Sequence, residues 1–189
     1  MLFKLDSMAV IEDVILLPQE VNDIQVRFGF EGVAEEGNHV VVTFQRAWGD
    51  EKDPRIGIYN VGTQEWKFVF YPLGQPESQN GGWVGLSDIS SLGDGKFMIL
   101  ERDNQGGEDA AVKRLFWIDL GDFSIEDGST LEKTFYKDLV ADLKSKGGAV
   151  IEKVEGLAVT KSGNIWINTD NDGVDDNSGE QLLLNVGVF

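Results

Sequence analysis

"VEGLAVTKSGNIWINTD", residues 154–170, holds a glutamate-glycine pair, a short apolar strand, a Ser-Gly-Asn turn and a second strand that ends in acids. Two earlier stretches read the same way: "FEGVAEEGNHVVVTFQR" (residues 30–46) and "VGLSDISSLGDGKFMILER" (residues 84–102). In each, a glycine opens a strand, a glycine-containing turn reverses it, and a run rich in β-branched and aromatic residues returns. Such turns between apolar runs are hairpin signals. The opening glycines, Gly32, Gly85 and Gly156, recur with a period near 50 residues stretched by insertions, which suits propeller blades better than helical solenoids.

The halves that follow the hairpins also match. "IGIYNVGTQEWKFVFYPL" (56–73) and "LFWIDLGDFSIEDGSTLEKTFYKDL" (115–139) each read as two more strands joined by a polar loop. Four antiparallel strands per repeat make a blade. The fold expected is therefore all-β, a partial β-propeller of about three blades with one short helix at 138–146, where "DLVADLKSK" is stopped by Gly147 and Gly148. A single domain over 1–189 would hold the outer strands of an incomplete blade at 1–28, blades at 29–74 and 83–146, and an incomplete last blade at 150–189.

Composition narrows the function. The chain has 189 residues, 41% of them hydrophobic, and five tryptophans, enough for a sizeable core. Its 33 acids against 16 bases give a net charge of −17, which disfavours nucleic acid, whose phosphates need basic patches. The absence of cysteine excludes disulfides, thiolate catalysis and Cys-ligated zinc. No apolar run approaches the roughly 20 residues of a membrane span. "MLFKLDSMAV" lacks the charged start and long apolar stretch of a secretory signal, so either the protein is cytoplasmic or its original N-terminus is missing.

Strand order places the candidate chemistry on one face. Adjacent strands run antiparallel, so the start of the first strand and the end of the second share one end of each blade. That end collects Glu31 with Gln45 and Arg46, then Trp83 with Glu101, Arg102 and Asp103, then Glu155 with Asn168, Asp170 and Asp172. The loops leaving it are long and polar, as functional loops on a rigid scaffold are. Glu31, Glu101, Arg102, Asp103 and Glu155 are the catalytic candidates. Arg46, Arg55 and Arg114 are available to a small anionic substrate, or to neighbouring acids. Asn168, Asp170, Asp172 and Asp176, with Gly173 between, follow the ligand spacing of a calcium loop; the same residues also suit a solvated Asx-rich turn. "GLSDI" around Ser87 lacks the second glycine of a nucleophile elbow. His39, the one histidine, starts its strand at the opposite end, away from any Ser-His-Asp arrangement with these acids.

Taken together, "GFEGVA", "PRIGIY", "GLSDI", "FMILERD", "KRLFWIDL", "KVEGLAV" and "DNDGV" followed by "QLLL" resemble the phytase-like family described as having esterase-like activity. The resemblance covers roughly residues 28–186 and the C-terminal half of the family's domain. It implies a β-propeller and a bacterial secreted protein, periplasmic or extracellular. Two functions follow: a calcium-dependent phosphoester hydrolase in which the metal offsets substrate charge, or a non-catalytic propeller that binds a ligand or protein on the same face. Open blade sides imply self-association or further blades on the N-terminal side.

Overall fold

The computed structural model describes residues 1–145, 147, 150–170 and 181–189. A hairpin of β1 (Leu2–Leu5) and β2 (Ile11–Ile15) leads to a short helix, α1 (Gln19–Ile24). The first four-stranded sheet is β3 (Phe30–Glu36), β4 (His39–Phe44), β5 (Arg55–Asn60) and β6 (Glu65–Phe70). The second is β7 (Val84–Gly93), β8 (Lys96–Asp103), β9 (Lys113–Asp119) and β10 (Lys133–Asp138), followed by helix α2 (Val140–Lys144). The third has three strands among the described residues, β11 (Val154–Val159), β12 (Asn164–Thr169) and β13 (Leu183–Val188). All the sheets are antiparallel meanders in chain order. The first strands β3 and β11 both pack against β7, so the sheets radiate from a common inner edge as propeller blades do.

Side-chain alternation explains how the middle sheet serves two cores. On β8, Phe97 and Ile99 face the first sheet, joining Val41, Ile56, Ile58, Val69 and Leu86. Met98 and Leu100 face the third sheet, joining Leu115, Leu143, Val154, Ile165 and Ile167. A third cluster covers the far side of the first sheet, where Leu17 and Val21 meet Val42, Phe44 and Trp48.

Helix α1 departs from the expectation of one helix and of strands alone in residues 1–28. Pro18 presets the turn at its start, and the helix aims Val21, 2% exposed, into that third cluster. Helix α2 falls inside the expected 138–146 but is shorter. None of the helices among the described residues is long and apolar enough to cross a membrane. The outer edge of the first sheet is covered by the second: Phe70 N–H donates to Ser129 O (2.8 Å), Leu131 N–H to Phe70 O (2.8 Å), and Phe68 N–H to Asp127 Oδ1 (2.7 Å). That pairing occupies an edge otherwise open to aggregation.

Candidate functional site

Each inner strand carries a bulge at the loop-rich end. The β3–β4 register skips between Phe30 and Gly32, leaving Glu31 unpaired. The β11–β12 register skips between Val154 and Gly156, leaving Glu155 unpaired. On β7 the skip falls between Leu86 and Asp88, at Ser87. A bulge re-aims the extra residue out of the alternation, and in these three strands it does so around one cation. Arg102 Nε donates to Ser87 Oγ at 3.1 Å, its NH2 donates to Glu155 Oε1 at 2.5 Å, and its charge acts on Glu31. Glu152 reaches the same guanidinium at 4.0 Å.

Glycines make the bulges possible. A Cβ on Gly32 would lie 2.6 Å from Ile89 N, in the neighbouring inner strand, and one on Gly156 would overlap the Asn168 carboxamide. At Gly32 only glycine lets the two backbones approach so closely, and at Gly156 it leaves the space that the Asn168 carboxamide fills.

The electrostatics single out Glu31. Its residue keeps solvent exposure, yet protein atoms crowd the carboxyl. Desolvation, with the charge of Glu155 added and Arg102 and Lys153 opposing, pushes it up from 4.5 to about 7. Glu31 can therefore hold or release a proton near neutrality, beside a second carboxylate paired to a buried arginine.

The other expected residues are placed as follows. Glu101, one position from Arg102, faces the opposite side of β8. It is 1% exposed, accepts from Lys133 Nζ at 2.5 Å and from Gly74 N–H at 3.2 Å, and lies beside the buried Tyr71 hydroxyl. That hydroxyl has no well-formed hydrogen bond; burial first, and then the Glu101 charge, keep it protonated. Asp103 accepts from Ala111 N–H and Val112 N–H, both 2.8 Å, and from Lys113 Nζ at 2.7 Å. The fully buried Lys113 also donates to the carbonyls of Asp103, Gln105 and Glu152. Burial draws its amine down to about 8 while Asp103 opposes the shift, so it is an ammonium at neutral pH.

Arg46 lies with its guanidinium 5.1 Å from the Trp83 ring, which Arg102 approaches at 5.4 Å, and so adjoins the site. Arg55 binds Glu51 at 2.6 Å, and Arg114 forks onto both Glu77 oxygens at 2.5 and 2.6 Å; neither joins the cluster. His39 stacks on Phe123 with centroids 3.9 Å apart, at the other end of the first sheet.

Of the four expected calcium ligands, Asn168 and Asp170 sit at the end of β12, with Asp170 N–H bonded to Lys153 O at 2.8 Å. Asp172 and Asp176 lie outside the described residues. Among the described residues no three acidic or histidine side chains group closely enough to hold a metal. Two oxygen-bearing side chains fall short of the roughly six to eight ligands calcium takes, so the described part alone does not fit the ion.

The sequence places Trp83 at this end but shows neither its contacts with Arg46 and Arg102 nor Ser87's bond to Arg102, because a bulge and a ring-to-arginine contact leave no periodic trace. The model of the family described as "Phytase-like: Esterase-like activity of phytase" matches residues 1–173. The chain belongs to the phytase-like family. Its match begins earlier and ends earlier than the 28–186 expected, so the phytase-like pattern takes in the N-terminal hairpin and α1. The chain is also similar to the crystal structure of the major Malassezia sympodialis allergen Mala s 1, at 15% identity and a TM-score of 0.47, over 75% of this chain and 43% of that one. It thus spans less than half the length of that structure. No curated protein matches the phytase-like chain in sequence.

Proposed function

We propose that this phytase-like protein hydrolyses a small anionic ester, a phosphoester in the first instance, at the inner end of its loop-rich face. The observation that carries the reading is Glu31 and Glu155, both raised out of the sheet by bulges beside Arg102, with Glu31 poised near pH 7. A catalytic group works best when its pKa lies near the operating pH. In the proposed step, protonated Glu31 gives its proton to the departing oxygen as the ester bond breaks. Water adds to the ester centre and gives up a proton to Glu155. Arg102 offsets the charge that develops, and Arg46 binds the substrate anion. Glu101 and Asp103 act by holding the end of β8 in place. Arg55 and Arg114 would have to release the carboxylates they already hold to take part.

Calcium is proposed as the ion of the acidic segment after β12, with Asn168, Asp170, Asp172 and Asp176 as ligands, and the extracellular or periplasmic space as the working compartment. For the exposed apolar N-terminal hairpin and the outer strand of the third sheet we propose self-association or further blades.

A non-catalytic binding module is the second reading. It is favoured by one observation: Glu101, Arg102 and Asp103 are all engaged in ion pairs. Assays of a phosphomonoester and a carboxylic ester, with and without calcium, decide between the two. Glu31→Gln should cut turnover by roughly 10²-fold or more. Equal rates for wild type and variant would end the catalytic reading, and no turnover by either would leave the binding module.

A further inference from the structure

In so acidic a chain an arginine normally finds a carboxylate. The sequence has five arginines, and Arg55, Arg102 and Arg114 each pair with one. Arg27 and Arg46 have no carboxylate or hydrogen-bond partner for their guanidinium groups among the described residues. Both instead lie against one ring, Phe28, at 5.1 and 5.0 Å from its centroid. Arg46 also lies 5.1 Å from the Trp83 ring, which it shares with Arg102.

Trp83 is itself anchored: its N–H donates to Asn104 Oδ1 at 2.7 Å and its carbonyl accepts from Asn104 N–H at 3.1 Å. The Phe28 carbonyl accepts from Trp48 Nε1 at 3.1 Å. Phe28 and Trp83, whose backbones are anchored in this way, therefore line up a series of three arginines that runs from the exposed Arg27 to the buried Arg102. Aromatic faces orient a guanidinium without using up its N–H fork. A fork left free matches the two oxygens of a phosphate or carboxylate.

We propose that Arg27 and Arg46, held on Phe28 and Trp83, form an oxyanion-binding strip that captures the charged group of a small ligand and leads to Arg102. The ligand class is a small molecule bearing a phosphate or carboxylate group that enters through Arg27 and rests on Arg46. The strip deepens the proposed function, and its link to catalysis rests on that reading; binding itself does not. It also accounts for how an anion approaches a protein of net charge −17, since local positive charge governs encounter at short range.

The test is binding of inorganic phosphate and, separately, of acetate to the full chain. It is followed by tryptophan fluorescence and by calorimetry at constant ionic strength set with chloride. Wild type should bind one or both anions below about 20 mM; phosphate alone, acetate alone or both identifies the group. Arg46→Gln should weaken binding about tenfold or more and Arg27→Gln about threefold. Trp83→Leu, which keeps every charge but removes the shared ring, should also weaken it. Lys161→Gln, the same charge change on an exposed turn far from the strip, should leave it unchanged. Absence of binding by wild type overturns the proposal, as does Arg46→Gln binding like wild type while its far-UV circular dichroism stays native. Equal weakening in Lys161→Gln also overturns it, because net charge alone would then explain the effect. Binding without ester turnover in wild type sinks the catalytic reading and leaves the strip standing.

Discussion

Glu101 and Arg102 are adjacent on β8, yet the first seals the junction between the first and second sheets and the second leaves the next junction open to water. Glu101 is shut in with Lys133, Gly74 N–H and the Tyr71 ring, and the side chains of the ion pair are 1% and 15% exposed. Arg102 is equally buried, at 3%, but its partner Glu155 is 28% exposed and Glu31 more so. The chemistry of the two pairs is alike. What differs is the partner's position: Lys133 is paired in register with Ile118 at the start of β10, whereas Glu155 stands on a bulge at the inner rim. A paired charge that keeps one member wet can still meet a ligand; a sealed pair can only hold sheets together.

This contrast predicts a ranking of effects. The largest belongs to Lys113, which ties Asp103 to the segment leading into β11. Lys113→Met takes the counter-charge from the buried Asp103 carboxylate, which keeps its bonds from Ala111 and Val112 N–H, and takes a donor from three carbonyls; it should cost about 3–5 kcal/mol of unfolding free energy in urea. Lys133→Met at the sealed junction should cost less, about 2–3 kcal/mol, because Lys133 is partly exposed and donates to Glu101 without bridging a set of carbonyls. A reversed order would show that the sealed junction, not the hub beside the open one, is the stronger tie.

Glu31 sharpens the comparison through pH. Its carboxyl titrates near 7 in the folded protein and near 4.5 in the unfolded chain. Between those values the native state keeps a proton that the unfolded state has lost, so stability is full below pH 4.5 and falls as pH rises through 7. Glu31→Gln removes that loss. The variant should be more stable than wild type at pH 8 by about 1 kcal/mol, discounted for the exposure of the residue, and equal to it at pH 4. Parallel melting curves at both pH values would show that the carboxyl is not desolvated.

The smallest expected effect is calcium's. At free calcium about twofold above its dissociation constant, mass action should add about 0.6 kcal/mol to the folded state, read as a rise in melting temperature. Asp170→Ala with Asp172→Ala should remove it. An identical response from wild type and double variant would leave a solvated turn.

Much of the architecture is legible in the chain. Glycine-opened hairpins at Gly32, Gly85 and Gly156, and β-branched runs such as His39–Phe44, dictate strands and turns because both depend on local sterics and on period-two burial. The same periodicity, with antiparallel order, places Glu31, Arg102 and Glu155 at one end of their sheets. Helix α1 escaped because six residues with one buried side chain leave no helical period to read. Which acids meet which bases was settled only in three dimensions. Glu101 and Arg102 look equivalent in sequence, but the pleat sends them to different junctions. The bulges that turn Glu31 and Glu155 toward Arg102 arise from packing between inner strands, where Gly32 meets Ile89 of another sheet. The pairing of Arg27 with Arg46 across Phe28 likewise joins segments that only the fold brings side by side. Local propensity acts over a few residues, whereas burial, charge pairing and pKa depend on neighbours far along the chain, and those neighbours exist only once the sheets have packed.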